Sequence, residues 1–140
     1  MNNNIKTIMV VDGQGGGLGK AIIERVKKSN PGAYVIGVGA NSIAASVMLK
    51  AGADDVATGE NAVIYNAGQA DYIIGPIGII SANSMLGEIS PAIATAIASA
   101  PGLKLLIPMN KCNLYVPGVR ENGLNEKIDD AIARIAADNE

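Results

Sequence analysis

The chain has 140 residues, 49% of them hydrophobic, with a net charge of −2 at pH 7 and a pI of about 5.1. That length fits one domain over residues 1–140, and the apolar share excludes a disordered chain. There is no basic run, no apolar stretch of about 18 residues and no histidine, so nucleic acid and membrane are not expected as partners and imidazole chemistry is excluded.

Ile5–Asp12 is a short, β-branched apolar run ended by glycine, which predicts a buried strand. Gly13–Gly19 follows as a loop. Leu18–Ser29 has helical spacing, with Ile22, Ile23 and Val26 on one face and Lys20, Glu24, Lys27 and Lys28 on the other; Asn30-Pro31-Gly32 stops it. Ala33–Gly39 is a second strand, and Ser42–Ala51 a second helix closed by Gly52. A short strand at Asp55–Ala57 leads to a helix at Glu60–Ala67, and Asp71–Ile77 is the fourth strand. From Gly78 the chain is rich in Gly and Asn until Ser90-Pro91, a helix cap followed by proline at the first helical position. Pro91–Ala100 is then a helix, Leu103–Pro108 the fifth strand, Met109–Gly118 a loop or short extra strand, and Leu124–Asn139 a final amphipathic helix.

Strands alternating with helices of about ten residues predict a parallel sheet with right-handed crossovers. The expected architecture is α/β: a Rossmann-like three-layer fold, five parallel strands in the order 3-2-1-4-5 with helices on both faces. With four Tyr and no Phe or Trp, its core must come from aliphatic side chains. Met1–Asn4 lacks the basic and apolar regions of a signal peptide, and the single Cys112 suits a reducing compartment, so a cytoplasmic protein is expected.

The loop carries the strongest chemical signal. Asp12, Gly13, Gln14, Gly15, Gly16, Gly17, Leu18 and Gly19 close the first strand and open the first helix, and Gly13, Gly17 and Gly19 spell G-x-x-x-G-x-G. Such a loop turns the chain sharply and points amide N–H groups at a phosphate on the helix N-terminus. Over residues 5–29 it resembles the cofactor loop of short-chain dehydrogenases, and that resemblance implies an NAD(P)-type dinucleotide as cofactor. The resemblance then breaks. No Tyr-x-x-x-Lys is present, since Gln69 stands four residues after Tyr65, and Asp12 replaces the usual small hydroxyl residue. A carboxylate there must either cap loop N–H groups or hold a metal ion, and nothing else in the sequence supports a metal site.

Strand ends direct further polar residues to the same sheet edge. Asn41 and Ser42 stand where a ribose-binding acid is usual, with no Arg or Lys near for a 2′-phosphate, so NAD, NADP and other nucleotides all stay open. Gly75, Pro76, Gly78, Asn83 and Asn110 complete the candidate ligand contacts. Ala40-Asn41-Ser42 and Ala82-Asn83-Ser84 echo each other, each after a strand and each opening an apolar helical stretch. Cys112 beside Lys111, and Glu60 and Glu88 in Gly-Glu pairs, are candidate reactive groups; an inert thiol and helix-end carboxylates are the plainer readings. The uncharged Pro91–Ala100 and the apolar face of Ile43–Leu49 suggest burial against a second subunit, hence a homodimer or higher homo-oligomer.

Taken whole, the chain resembles a small bacterial family without assigned function, a domain of unknown function of the 3842 type. The likeness runs through DGQGGGLGKAI, MLKAGA, TGENA, GPIGII, ANSMLGE and IPMNKCN. It implies domain boundaries and no chemistry. The expected function is therefore a nucleotide-binding domain. Its rivals are a small enzyme acting on a phosphorylated or nucleotide-linked substrate and a non-catalytic ligand sensor.

Overall fold

The structure is a computed structural model and describes residues 5–109, 113–120 and 123–138. Five parallel strands, β1 (Thr7–Asp12), β2 (Tyr34–Gly39), β3 (Asp55–Thr58), β4 (Tyr72–Pro76) and β5 (Leu103–Ile107), lie in the order β3-β2-β1-β4-β5. Between and after them run α1 (Gly17–Ser29), α2 (Ser42–Lys50), α3 (Glu60–Ala67), a single 3-10 turn at Ile77–Ile80, α4 (Pro91–Ala98) and α5 (Leu124–Asp138). This is the doubly wound, Rossmann-like α/β fold expected from the alternation of elements.

β1 is the central strand, and Ile8, Met9, Val10 and Val11 are all fully buried. A strand covered on both faces needs apolar residues throughout, which is why it reads as a continuous run rather than an alternation. Successive residues then enter opposite cores. Ile8 and Val10 pack with Ile22, Ile23, Val26, Met48, Ile128 and Ile135 of α1, α2 and α5. Met9 and Val11 pack with Val63, Ile79, Ile93 and Ile97 under α3 and α4. The β1–β2 register aligns Asp12 with Gly39, and β4 pairs from Ile8 opposite Tyr72. Strand order therefore reverses between β1 and β4, so the segments leaving these two strands flank the crevice where doubly wound sheets take their ligands.

α4 buries Ile93, Ala94 and Ile97 within its own chain and exposes only small residues such as Ala92, Thr95 and Ala98. An uncharged sequence suits a helix whose large side chains all point inward. Ile43 and Leu49 on α2 do remain exposed. Beyond Met109, residues 113–120 form no strand; a turn at Val116–Val119 closes through Val119 N–H to the Val116 carbonyl at 3.2 Å.

Candidate functional site

β1 delivers Asp12 to the carboxyl edge of the sheet, where it is buried at 5% exposure. Its Oδ1 accepts from Gly13 N–H at 2.8 Å and its Oδ2 from Gly19 N–H at 2.7 Å. Of the two readings open to this carboxylate, it takes the first: it caps its own loop. Burial pushes its pKa up, the two amide hydrogen bonds pull it down, and the Glu88 charge adds a further upward push; the outcome is raised.

The glycines of the loop divide by what surrounds them. Gly16 caps α1 in the left-handed region at φ 76°, and its N–H closes the turn onto the Gly13 carbonyl at 3.1 Å. A Cβ on Gly16 would stand 2.9 Å from Ala44 Cα of α2. A Cβ on Gly19 would stand 2.8 Å from Met48 Sδ and 3.0 Å from Asp12 Cβ, and one on Gly13 would stand 2.6 Å from Glu88 Oε1. These three let the loop, α2 and the segment after β4 pack together. Gly15 and Gly17 are different: both are exposed, neither has positive φ, and a Cβ on either would meet none of the described residues within 4 Å. The amides of Gly17 and Leu18, first in α1, have no intrahelical acceptor, and the first turn of α1 carries no acid.

Asn41 and Glu88 complete the cluster. Asn41 caps α2, its Oδ1 accepting from Ala44 N–H at 2.8 Å. Its Nδ2 donates to the Gln14 carbonyl at 3.0 Å and to Glu88 Oε2 at 2.7 Å. Glu88 Oε1 in turn accepts from Gln14 N–H at 2.6 Å. Residues 81–90 hold Glu88 there by a succession of tight turns, with Asn83, Met85 and Leu86 at positive φ beside Gly87. Ser84 Oγ ties this segment down by donating to the Gly78 carbonyl at 2.5 Å.

The other candidates lie elsewhere. Ser42 is exposed in the first turn of α2 and Asn83 is exposed on the turn segment. Asn83 is left-handed and caps no helix, so the echo with Asn41 is one of sequence alone. Gly75, Pro76 and Gly78 are buried, and Gly75 is needed because β4 closes on the Val11 carbonyl of β1. Glu60 Oε1 accepts from Ser90 Oγ at 2.5 Å, joining the start of α3 to the cap of α4. Asn110, Lys111 and Cys112 lie outside the described residues. Sequence reasoning missed Met85, whose Sδ would lie 2.8 Å from a Gly13 Cβ; no spacing signal marks it.

Among the described residues, no group of three or more Cys, Asp or Glu is placed to hold a metal ion, and no helix is long and apolar enough to cross a membrane. A cleft of about 610 Å³ between β5 and α5, lined by Leu105, Leu106, Lys127 and Arg134 among others, lies at the far edge strand, away from the glycine loop.

A family model described as a domain of unknown function (DUF3842) matches residues 7–140. No curated protein matches. Among solved structures, the chain is similar to the crystal structure of AibC, with a TM-score of 0.52 and 19% identity over 95% of this chain and 42% of that one. The chain thus spans less than half of that structure's length, and at this identity the likeness shows the α/β fold alone.

Proposed function

The chain belongs to the DUF3842 family, and for it we propose a nucleotide-binding domain, with an NAD(P)-type dinucleotide as first choice. The ligand's phosphates lie over Gly15 and Gly17 at the N-terminus of α1. One observation carries this reading: two of the five loop glycines answer to nothing among the described residues. Gly13, Gly16 and Gly19 are each explained by a neighbour in the fold, whereas Gly15 and Gly17 face open space in ordinary backbone conformations. A phosphate approaching the free amides of Gly17 and Leu18 supplies the reason for having no side chain there. Asp12 does not oppose it strongly, because its oxygens are turned onto Gly13 and Gly19 N–H.

Calorimetric titration of wild type and Gly17→Val with NAD, NADP, ATP and FAD tests the reading. Binding of at least one of these by wild type, weakened about tenfold or more in a variant that melts like wild type, is the expected result. Equal affinity in the variant, or a wild type that binds none of them, removes it.

A ligand sensor is the second reading, favoured by Leu86. That side chain is 98% exposed on the same tight segment that carries Glu88 to the loop, so a shift of Glu88 would be felt at an apolar surface point. For the enzyme reading, Glu60 is engaged with Ser90, and Lys111 and Cys112 lie outside the described residues.

A further inference from the structure

Doubly wound nucleotide sites place an acid at the end of the second strand, where its carboxylate accepts from the ribose hydroxyls. Here β2 ends in Gly39 and is followed by Ala40 and Asn41, with no acid. The structure brings one to that place from elsewhere. Glu88, 47 residues beyond Asn41 and 74 beyond Gln14, lays its carboxylate across the end of β2 and the start of the loop, bonded to Asn41 Nδ2 at 2.7 Å and Gln14 N–H at 2.6 Å. We infer that Glu88 is the ribose acceptor of this site, and that the site therefore selects nucleotides with a free 2′-hydroxyl over 2′-phosphorylated ones. This rests on the nucleotide reading above and assigns its specificity.

The stereochemistry suits the role. A carboxylate offers about four lone-pair positions. Glu88 uses one on each oxygen for Gln14 and Asn41, which leaves one on each for a vicinal diol. Both partners are themselves anchored, Asn41 as the cap of α2 and Gln14 by its carbonyl's bond to Asn41. The carboxylate is therefore held in place before any ligand arrives. The charge suits it as well. Among the described residues no Lys or Arg pairs with Glu88, and its charge is felt by Asp12, so a 2′-phosphate would meet a carboxylate that no described cation neutralises.

The test is calorimetric titration of NAD, NADP and the NAD analogue lacking the adenosine 2′-hydroxyl, against wild type and Glu88→Gln, with thermal melts as a folding control. Wild type should bind NAD about 100-fold more tightly than NADP and lose about tenfold with the 2′-deoxy analogue. Glu88→Gln should lose about tenfold for NAD, bring NAD and NADP close together, and bind NAD and its 2′-deoxy analogue alike. The wild-type comparison of the three ligands stands even if the variant folds poorly. Equal loss of all three ligands in Glu88→Gln means a merely structural carboxylate and overturns the inference, as does tighter NAD binding by the variant, which would mark Glu88 as an obstruction. Wild type binding NAD and NADP equally, while Gly17→Val abolishes both, overturns the inference and leaves the phosphate site standing. Wild type binding no nucleotide overturns both.

Discussion

Within one seven-residue loop, Gly13, Gly16 and Gly19 form one group and Gly15 and Gly17 another, and the two have opposite surroundings. The first group is pressed against Glu88, Ala44, Met48 and Asp12, while the second faces open space. A glycine in contact is there to let the protein approach itself, and a glycine in the open leaves room for something else. Sequence spacing cannot make the distinction, because Gly13, Gly17 and Gly19 together form the spaced motif yet fall on both sides of it.

The contrast breaks most visibly at Gly19. Gly19→Val forces a branched side chain between Met48 and Asp12, and overpacking at such a site costs typically 1–3 kcal/mol or more. The loss of the Gly19–Asp12 geometry adds to it, so a cost of about 3 kcal/mol or failure to fold is expected from urea unfolding. A Gly19→Val protein as stable as wild type would show that the packed group is not packed. This outcome differs from what the motif alone implies, namely a folded variant that merely fails to bind.

Asp12→Asn is expected to be intermediate. The amide keeps one acceptor and turns an NH2 group toward either Gly13 or Gly19 N–H, leaving a buried donor unpaired at about 1–3 kcal/mol. The pH dependence sharpens the assignment. Burial outweighs the two hydrogen bonds, so the folded-state pKa of Asp12 is raised. Folding then binds the Asp12 proton more tightly than the unfolded chain does. Its contribution to stability is greatest below the unfolded carboxylate pKa and is lost as pH rises through the folded one. Urea midpoints of wild type and Asp12→Asn between about pH 3 and 7 should therefore show wild type losing ground to the variant as pH rises. The opposite trend would mean that the hydrogen bonds to Gly13 and Gly19 dominate.

The smallest stability effect belongs to Gly17→Ala. At an open, helical position with ordinary φ, replacing glycine by alanine restricts the unfolded chain and stabilises by about 0.4–1 kcal/mol. Nucleotide affinity should fall at the same time. Stability rising while binding drops is the signature of the open group. A thermal melt that falls at Gly17→Ala would move this glycine into the packed group.

Much of the architecture was legible from residues 1–140 as a string. Each strand and helix announces itself through neighbours a few residues apart. The Ile5–Asp12 run, the helical spacing after Leu18, and Ser90-Pro91 before α4 each locate an element to within a residue or two. Alternation of those elements, with right-handed crossovers, then leads to the order β3-β2-β1-β4-β5. The site was half legible. The loop and Asn41 stand in the string beside their strands, and Glu88 stands there as one of two Gly-Glu carboxylates, but its closure on Gln14 and the burial of Gly75 and Gly78 are invisible in it.

What the sequence determined by itself was local: which segments are strands or helices, where glycine relieves the backbone, and that an acid ends β1. These depend on periodicity and on contacts within one turn or one strand. Only the tertiary structure decided which glycines are crowded, which way α4 turns Ile93 and Ile97, and that Glu88 closes on Gln14 across 74 residues. The reason is physical. The chain's own periodicity fixes which face a side chain occupies, but the object it meets there comes from another strand. In a sheet whose order reverses between β1 and β4, the two segments that build the site come together only when both strands are in place.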